Sequence, residues 1–213
     1  MAAGKTGSRE RYRAQVRAEI KQHAWDQIAT AGVSALSLNA IAKHVGMSGP
    51  ALYWYFANRD ELITELIRDA YRSLADAVRS AFDSGSGVPG LAHAVRDWAL
   101  EDPQRYLLIY GTPVPGYHAP DDTTAISNEV MTVLIEAFAA LPADQPATPF
   151  DAHLESHRQW APDAVSAATL RRALTFWTRV HGVLSLELAG HFTGMGFDPA
   201  LLFADEVDAL LTH

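Results

Sequence analysis

The sequence predicts an all-α fold on three observations. Apolar residues recur at three- and four-residue spacing through most of the chain. Sustained period-2 alternation enriched in β-branched residues occurs nowhere. Gly and Pro gather between the periodic stretches, where helices need to stop. There is no internal repeat.

The first helix is expected from about Arg9 to Ala31, after a polar start containing Gly and Ser. Ile20, Ala24 and Ile28 fall at i, i+4 and i+8, with Trp25 beside them. Gly32 sits where a C′ glycine ends a helix. Ser37 is placed to cap a short second helix from Leu38 to about His44, whose apolar side is Leu38, Ile41, Ala42 and Val45. Gly46 interrupts it, and Ser48 is placed to cap a third. That helix takes Pro50 in its first turn, where a missing N–H costs no helical bond, and is expected to run to Tyr55 and Phe56. Asn58 with Glu61 three residues on resembles a capping box and opens a long fourth helix to about Phe82. Leu62, Leu66, Ile67, Ala70, Tyr71, Leu74, Val78 and Phe82 form its buried stripe. Residues 83–90 read as a Gly/Ser/Pro loop. Further helices are expected at about 90–100, 103–110, 122–141, 162–190 and 199–211, with a polar linker through residues 142–161.

With 213 residues, 48% hydrophobic and 20% charged, the chain is long enough for one or two domains with a sizeable core. Its lack of cysteine excludes disulfides, thiolate catalysis, Fe–S ligation and Cys-containing zinc sites. The N-terminus carries no hydrophobic signal region and no apolar run reaches about 18 residues, so the expectation is a cytoplasmic protein with no membrane partner. No cofactor is expected. The net charge of −8 is unevenly spread: residues 1–60 carry eight basic and four acidic side chains, a net +4, leaving −12 for the rest. A basic head on an acidic body gives the head the means to approach phosphates.

The most informative segment is Leu38-Asn-Ala-Ile-Ala-Lys-His-Val-Gly-Met-Ser-Gly-Pro-Ala-Leu-Tyr-Trp-Tyr-Phe56. Two short helices crossing steeply need a residue free to adopt positive φ between them, a small residue at the crossing and apolar residues to lock the angle. Gly46, Ala42 and the set Ile41, Val45, Met47, Leu52 and Tyr55 supply these. In such a unit the second helix enters the major groove with its N-terminal residues at the base edges.

Together with Trp25-Asp-Gln-Ile-Ala-Thr-Ala-Gly32, Leu36-Ser-Leu-Asn-Ala-Ile-Ala42 and Leu52-Tyr-Trp-Tyr-Phe-Ala-Asn-Arg-Asp-Glu-Leu62, this segment resembles the DNA-binding domain of TetR/AcrR-type transcriptional regulators over residues 10–65. The resemblance implies an N-terminal three-helix helix-turn-helix DNA-binding domain followed by a larger helical ligand-binding and dimerisation domain. The boundaries expected are 1–57 for the arm and DNA-binding domain, 58–82 for the connecting helix and 83–213 for the body. It further implies a homodimeric repressor released from a palindromic operator by a small-molecule effector. By position, Tyr53 and Arg59 match phosphate-contacting residues, and Ser37 matches the hydroxyl residue opening the second helix. Ser48, Gly49, Pro50, Ala51 and Trp54 occupy the exposed part of the recognition helix. Gly49 departs from relatives with Lys or another polar residue there. With Gly, Pro and Ala in this place, specificity falls to apolar contact with thymine methyls, to Trp54 and to DNA shape. Tyr55 and Phe56 read as core. Lys5, Arg9, Arg11 and Arg13 either follow the minor groove or form a solvated basic tail.

In the body, Trp98 to Tyr117 and Trp177-Thr-Arg-Val-His-Gly182 resemble a TetR subgroup named for its Trp, His and Gly positions, over about residues 90–205. The last two helices, carrying Phe176 to Leu188 and Phe203 to Leu211, are then expected at the dimer two-fold, with Gly182, Ala189 and Gly190 permitting close approach. An effector pocket needs concave apolar surface with a few polar groups. Trp98, Tyr106, Ile109, Tyr110, Tyr117, His118, Met131, Phe138 and Trp177 are the candidates, each competing with a plain core role. Pro113, Pro115 and Pro120 make the loop around Tyr117 and His118 a candidate cover for its mouth.

Two rival readings stand beside this one. His153-Leu-Glu-Ser-His157 places two imidazoles at i, i+4, as a metal-binding helical enzyme would, but without the Glu beside the first His that zinc proteases carry. An all-α adaptor for protein helices would account for the acidic body but leaves the basic head and its aromatic run unexplained.

Overall fold

The computed structural model describes residues 3–142 and 146–212. All regular structure among them is helical: α1 Ala3–Ala31, a 3₁₀ turn Val33–Ala35, α2 Leu38–Val45, α3 Gly49–Leu52, α4 Arg59–Asp83, α5 Gly87–Glu101, α6 Pro103–Tyr110, α7 Asp121–Ala139, α8 Pro149–Ser156, α9 Ala167–Leu188 and α10 Pro199–Thr212.

The stops and starts are chemical. Gly32 and Gly46 adopt φ of 77° and 72°. At the C-cap of α2 this left-handed conformation turns the Gly46 N–H toward Ala42 O and Lys43 O and lets the Met47 N–H reach Ala42 O at 2.9 Å, so the last carbonyls of the helix are satisfied. Ser37, Ser48 and Asn58 each accept a hydrogen bond from the backbone N–H three residues on. Glu61 reaches back one residue further than in a capping box, taking the Ala57 N–H at 2.5 Å.

Five boundaries differ from the sequence reading. α1 begins at Ala3, so the Gly/Ser-containing start is helical, and Arg11 donates to Gly7 O at 3.1 Å within it. The side chain of Lys5 lies outside the described residues. α3 ends at Leu52 rather than Phe56: Trp54 and Tyr55 donate to carbonyls three residues back, so the chain tightens out of α geometry there. The loop expected at 83–90 shrinks to Ser84–Ser86, because Pro89 sits in the first turn of α5, where no bond is lost. The polar linker contains a helix: Thr148 and Asp151 form a reciprocal capping box and Pro149 starts α8. Conversely, Pro162–Ser166 stays outside α9, which begins after its Ser166 cap.

Two apolar cores meet on α4. Leu62, Ile63, Leu66 and Ile67 belong to the head core with Val16, Ile20, Ala24, Ile41, Leu52 and Phe56. Ala70, Leu74, Ala75 and Val78, further along the same helix, belong to the body core with α5, α7 and α9. The body crosses the line at its α6–α7 end: Val114, in the α6–α7 connection, is 9% exposed and belongs to the head core, with Leu108, Ile109 and Tyr117 packed against it. α4 is therefore a shared beam, and the α6–α7 connection is a second joint.

Candidate nucleic-acid interface and effector cleft

In the head, Phe56 is fully buried and Tyr55 half-buried, as core residues should be. Tyr53 and Trp54 point outward, 48% and 82% exposed. An indole exposed to that degree has no packing role in the chain itself. Ser37, Ser48 and Pro50 are also exposed, with Gly49 and Ala51 half-buried beside them. The N-terminal ends of α2 and α3 lie side by side at the surface, Asn39 beside Gly49.

Asn39 was missed. Its Oδ1 lies 3.5 Å from where a Cβ on Gly49 would be, and the residue is exposed. The missing side chain at Gly49 thus leaves room for an amide from the neighbouring helix at the head of α3. The signal in the sequence was Gly49 itself, which looked like a loss of contact.

The basic residues divide into two sets. Arg17 donates to Tyr55 O at 2.5 Å, lies over the Phe56 ring at 4.2 Å and approaches Glu65 at 3.4 Å. Lys21 pairs with Asp69 at 2.5 Å. These two tie α1 to the rest of the head. Burial alone would raise the Glu65 carboxyl, but a hydrogen bond from Arg68 and the charges of Arg17, Arg68 and Lys21 outweigh it and hold it below its usual range. Arg59 donates to Val33 O at 2.8 Å and stands 3.7 Å from Asp60. It buttresses the 3₁₀ turn while remaining partly exposed. Arg9, Arg11, Arg13 and Lys43 are exposed.

In the body, two adjoining clefts run along α4, α6 and α7. One, of about 270 Å³, is lined by Ile67, Leu108, Ile109, Pro113, Val114, Tyr117, Ala119, Thr123 and Thr124. The other, of about 300 Å³, is lined by Tyr110, Asn128, Met131, Trp160, Leu174 and Trp177. Tyr71 and Ser127 line both, and no lining side chain is charged. Thr123 Oγ1 is buried without a hydrogen-bond partner. Tyr117, within the Pro-rich loop, hydrogen-bonds Thr64 through its hydroxyl at 2.9 Å, pinning that loop to the head end of α4.

Five of the nine sequence candidates thus fall on these clefts: Ile109, Tyr110, Tyr117, Met131 and Trp177. The other four sit elsewhere. Trp98 is core, donating to Ser73 Oγ at 2.9 Å, and Tyr106 is core, its hydroxyl 3.0 Å from His181 Nδ1 and 2.9 Å from Ser185 Oγ. Phe138 is buried against Phe176 and borders a separate groove with Arg171 and Arg172. His118 is exposed and lines neither cleft. The sequence reading lacked Tyr71, Ser127, Asn128, Trp160 and Leu174 as wall residues, since nothing in their spacing distinguishes a wall from a core.

Burial pushes the Tyr110 phenol up, helped by Tyr71 and Tyr106 nearby, and pushes His181 down to about 4. His153 on α8 and His157 at its C-cap stack at 4.1 Å between ring centroids. Among the described residues no group of three His, Asp or Glu is placed to hold a metal, and no helix is long and apolar enough to cross a membrane.

The comparisons agree with this arrangement. Residues 20–66 match the family described as bacterial regulatory proteins, tetR family, and residues 88–210 match the tetracyclin repressor-like C-terminal domain. The chain is 36% identical to HTH-type transcriptional regulator Rv1816 of Mycobacterium tuberculosis and to Mb1846 of Mycobacterium bovis, over 93% of this chain and 92% of each relative. The crystal structure of SCO4313 shares 67% identity at a TM-score of 0.91, covering 96% of this chain and 98% of that one. The TetR family regulator PfmR of Thermus thermophilus, 16% identical over 91% of this chain and 97% of its own, shares the fold at a TM-score of 0.58. Two family matches that together span most of the chain, and relatives 36% identical over nearly its whole length, show that the chain belongs to the TetR family of DNA-binding transcriptional regulators.

Proposed function

We propose that the protein is a homodimeric repressor that holds a palindromic operator through its head and lets go when a small uncharged molecule fills the body clefts. The observation that carries this reading is the position of the clefts: Ile67 and Val114 belong both to a cleft wall and to the head core. A ligand there presses on the two joints that set the head's angle.

On this reading residues 1–57 form the DNA-binding unit, 58–82 the connecting helix and 83–213 the effector and dimer domain, working in the cytoplasm on the chromosome. Ser37, Tyr53 and Arg59 contact phosphates, while Ser48, Gly49, Pro50, Ala51 and Trp54 face the base edges. Asn39 joins them, since an amide is suited to pair with adenine and α3 offers no other bidentate group. Exposed Leu186, Leu201 and Leu211 on α9 and α10 favour these helices as the dimer face. Gly182 fits that role, because a Cβ there would meet nothing within the chain. Gly190 instead serves a turn, at φ 76°. A dimer so arranged presents its recognition helices to half-sites about 34–36 Å apart.

Moving such a switch from 1:99 to 99:1 needs an effector that prefers the released form by about 5.5 kcal/mol. The test is selection of bound sequences from a random DNA pool, expected to return a palindrome with an adenine that Asn39→Ala ceases to select. A non-palindromic consensus overturns the dimer.

A further inference from the structure

We propose that the cleft walled by Tyr110 and Trp177 takes an uncharged aromatic molecule bearing one hydrogen-bonding group, and that His181 reads that group. This rests on the effector reading above and adds the chemistry of the ligand.

The walls select against ions. The cleft has aromatic, Met and Leu sides, with Ser127 and Asn128 as its polar residues, and no charge to compensate an ionised ligand. That neutrality stands out where residues 61–213 together carry −12. Tyr110 meets Tyr71 at 89° and Trp177 at 75°, with centroids 6.0 Å and 5.7 Å apart, so the cleft offers ring faces and edges in crossed planes, the surroundings in which a flat ring packs well.

His181 lies directly against both wall residues, its ring centroid 4.0 Å from Trp177 and 4.3 Å from Tyr110. Its Nδ1 is held by the Tyr106 hydroxyl, itself bonded to Ser185, so the ring cannot turn freely. Its Nε2 is buried and has no partner. A buried polar atom left unpaired destabilises the empty protein, and a ligand that pairs it recovers that loss. His181 does not itself line the cleft, so on this proposal a ligand ring reaches Nε2 by shifting Trp177 or Tyr110, the two wall rings that touch the imidazole. A hydroxyl on the ligand suits either tautomer, donating to a bare Nε2 or accepting from a protonated one. Burial keeps the imidazole neutral at pH 7 and so compatible with the uncharged walls. The Trp and His of the subgroup signature thereby acquire one shared task, wall and reader.

The test is calorimetric titration of the full-length protein with three probes of one size: 2-naphthol, naphthalene and 2-naphthoate. Saturable binding of 2-naphthol is expected, with naphthalene and 2-naphthoate at least about tenfold weaker. His181→Phe should bring 2-naphthol to within about threefold of naphthalene. Should that variant fail to fold, the His181 ring resonances of the wild-type protein serve instead, and are expected to shift with 2-naphthol. Binding of 2-naphthoate as tight as 2-naphthol, an unchanged preference in His181→Phe, unmoved His181 resonances, or no saturable binding of any probe overturns the proposal. Operator release is measured separately: 2-naphthol binding without release breaks the effector reading alone, and release driven by 2-naphthoate but not 2-naphthol breaks the ligand chemistry alone.

Discussion

The head and the body solve opposite problems with the same helices. The head sets its candidate contact residues outside, where α2 and α3 begin, and the helix starts beside them are held by bonds that span three residues: Ser37 to Ala40, Ser48 to Ala51, Asn58 to Glu61. The body turns its aromatic groups inward and brings them from α4, α6, α7 and α9, as in the contacts of Tyr110 with Tyr71 and with Trp177. A site made of caps and turns is local chemistry; a site made of walls is a product of packing. The two meet on α4, which gives its first half to one core and its second half to the other.

Emptying each core in turn separates the two regions most strongly. Phe56 and Phe176 are both fully buried, and Phe→Ala at such sites costs about 3–5 kcal/mol. Phe56→Ala should abolish operator binding and lower amide protection around Ile20, Ile41 and Leu52, leaving α7 and α9 protected. Phe176→Ala should do the reverse for protection. Equal loss in both regions from either variant, followed by hydrogen exchange, would show one cooperative unit rather than two cores on a shared beam.

Acid separates the regions by mechanism. His181 is pushed from 6.5 to about 4 in the folded body, so the unfolded chain takes up the proton first. Stability is lost as pH falls from 6.5 to about 4, by roughly 3 kcal/mol in all. Glu65 in the head has its pKa lowered from 4.5. Its contribution is intact above 4.5 and goes as pH falls through the lower folded value. The body should therefore loosen at a pH where the head still holds. Denaturant midpoints from about pH 7 to 4 check this, and His181→Phe should flatten the upper part of the decline while leaving the Glu65 part in place.

What was legible follows the same divide. Gly32, Ser37, Gly46, Ser48 and Asn58 do in the structure what their residue types prescribe, because a cap or a left-handed turn depends on a few adjacent residues. The short α3 is hidden in the sequence because the aromatic run after Leu52 continues the helical spacing while the backbone tightens. α8 is hidden because its prolines read as breakers, although Pro149 sits where proline starts a helix and Thr148 with Asp151 spells the box. In the body, Tyr106 and Tyr110 stand four apart on one helix, and both touch His181; only one of them reaches a cleft. Spacing puts them on one side of α6, and the neighbours contributed by α4, α7 and α9 decide which is wall and which is core.

A smaller effect sharpens the joint itself. Asn58→Ala removes a 2.8 Å cap from the start of α4, at about 1 kcal/mol. Because α4 carries both cores, thermal unfolding of head and body should shift together, in contrast to the core variants. A shift confined to the head would place the boundary of cooperativity within α4.

The smallest effect bears on what Arg59 is for. Its guanidinium already commits one nitrogen to Val33 O, so it is a buttress of the 3₁₀ turn as well as a cation at the start of α4. A positive charge there opposes the helix dipole, and a phosphate relieves the conflict. Arg59→Ala removes both roles and should weaken binding to every sequence, lowering the slope of log affinity against log salt by about one unit. Arg59→Lys separates them: it keeps a charge for the phosphate but lacks the fork that reaches Val33 while facing outward. The expected result is a slope restored by Lys with affinity restored only in part. If neither substitution changes the slope and both weaken binding alike, Arg59 acts by holding the turn, and the phosphate contact belongs to the exposed cations Arg9, Arg11, Arg13 and Lys43.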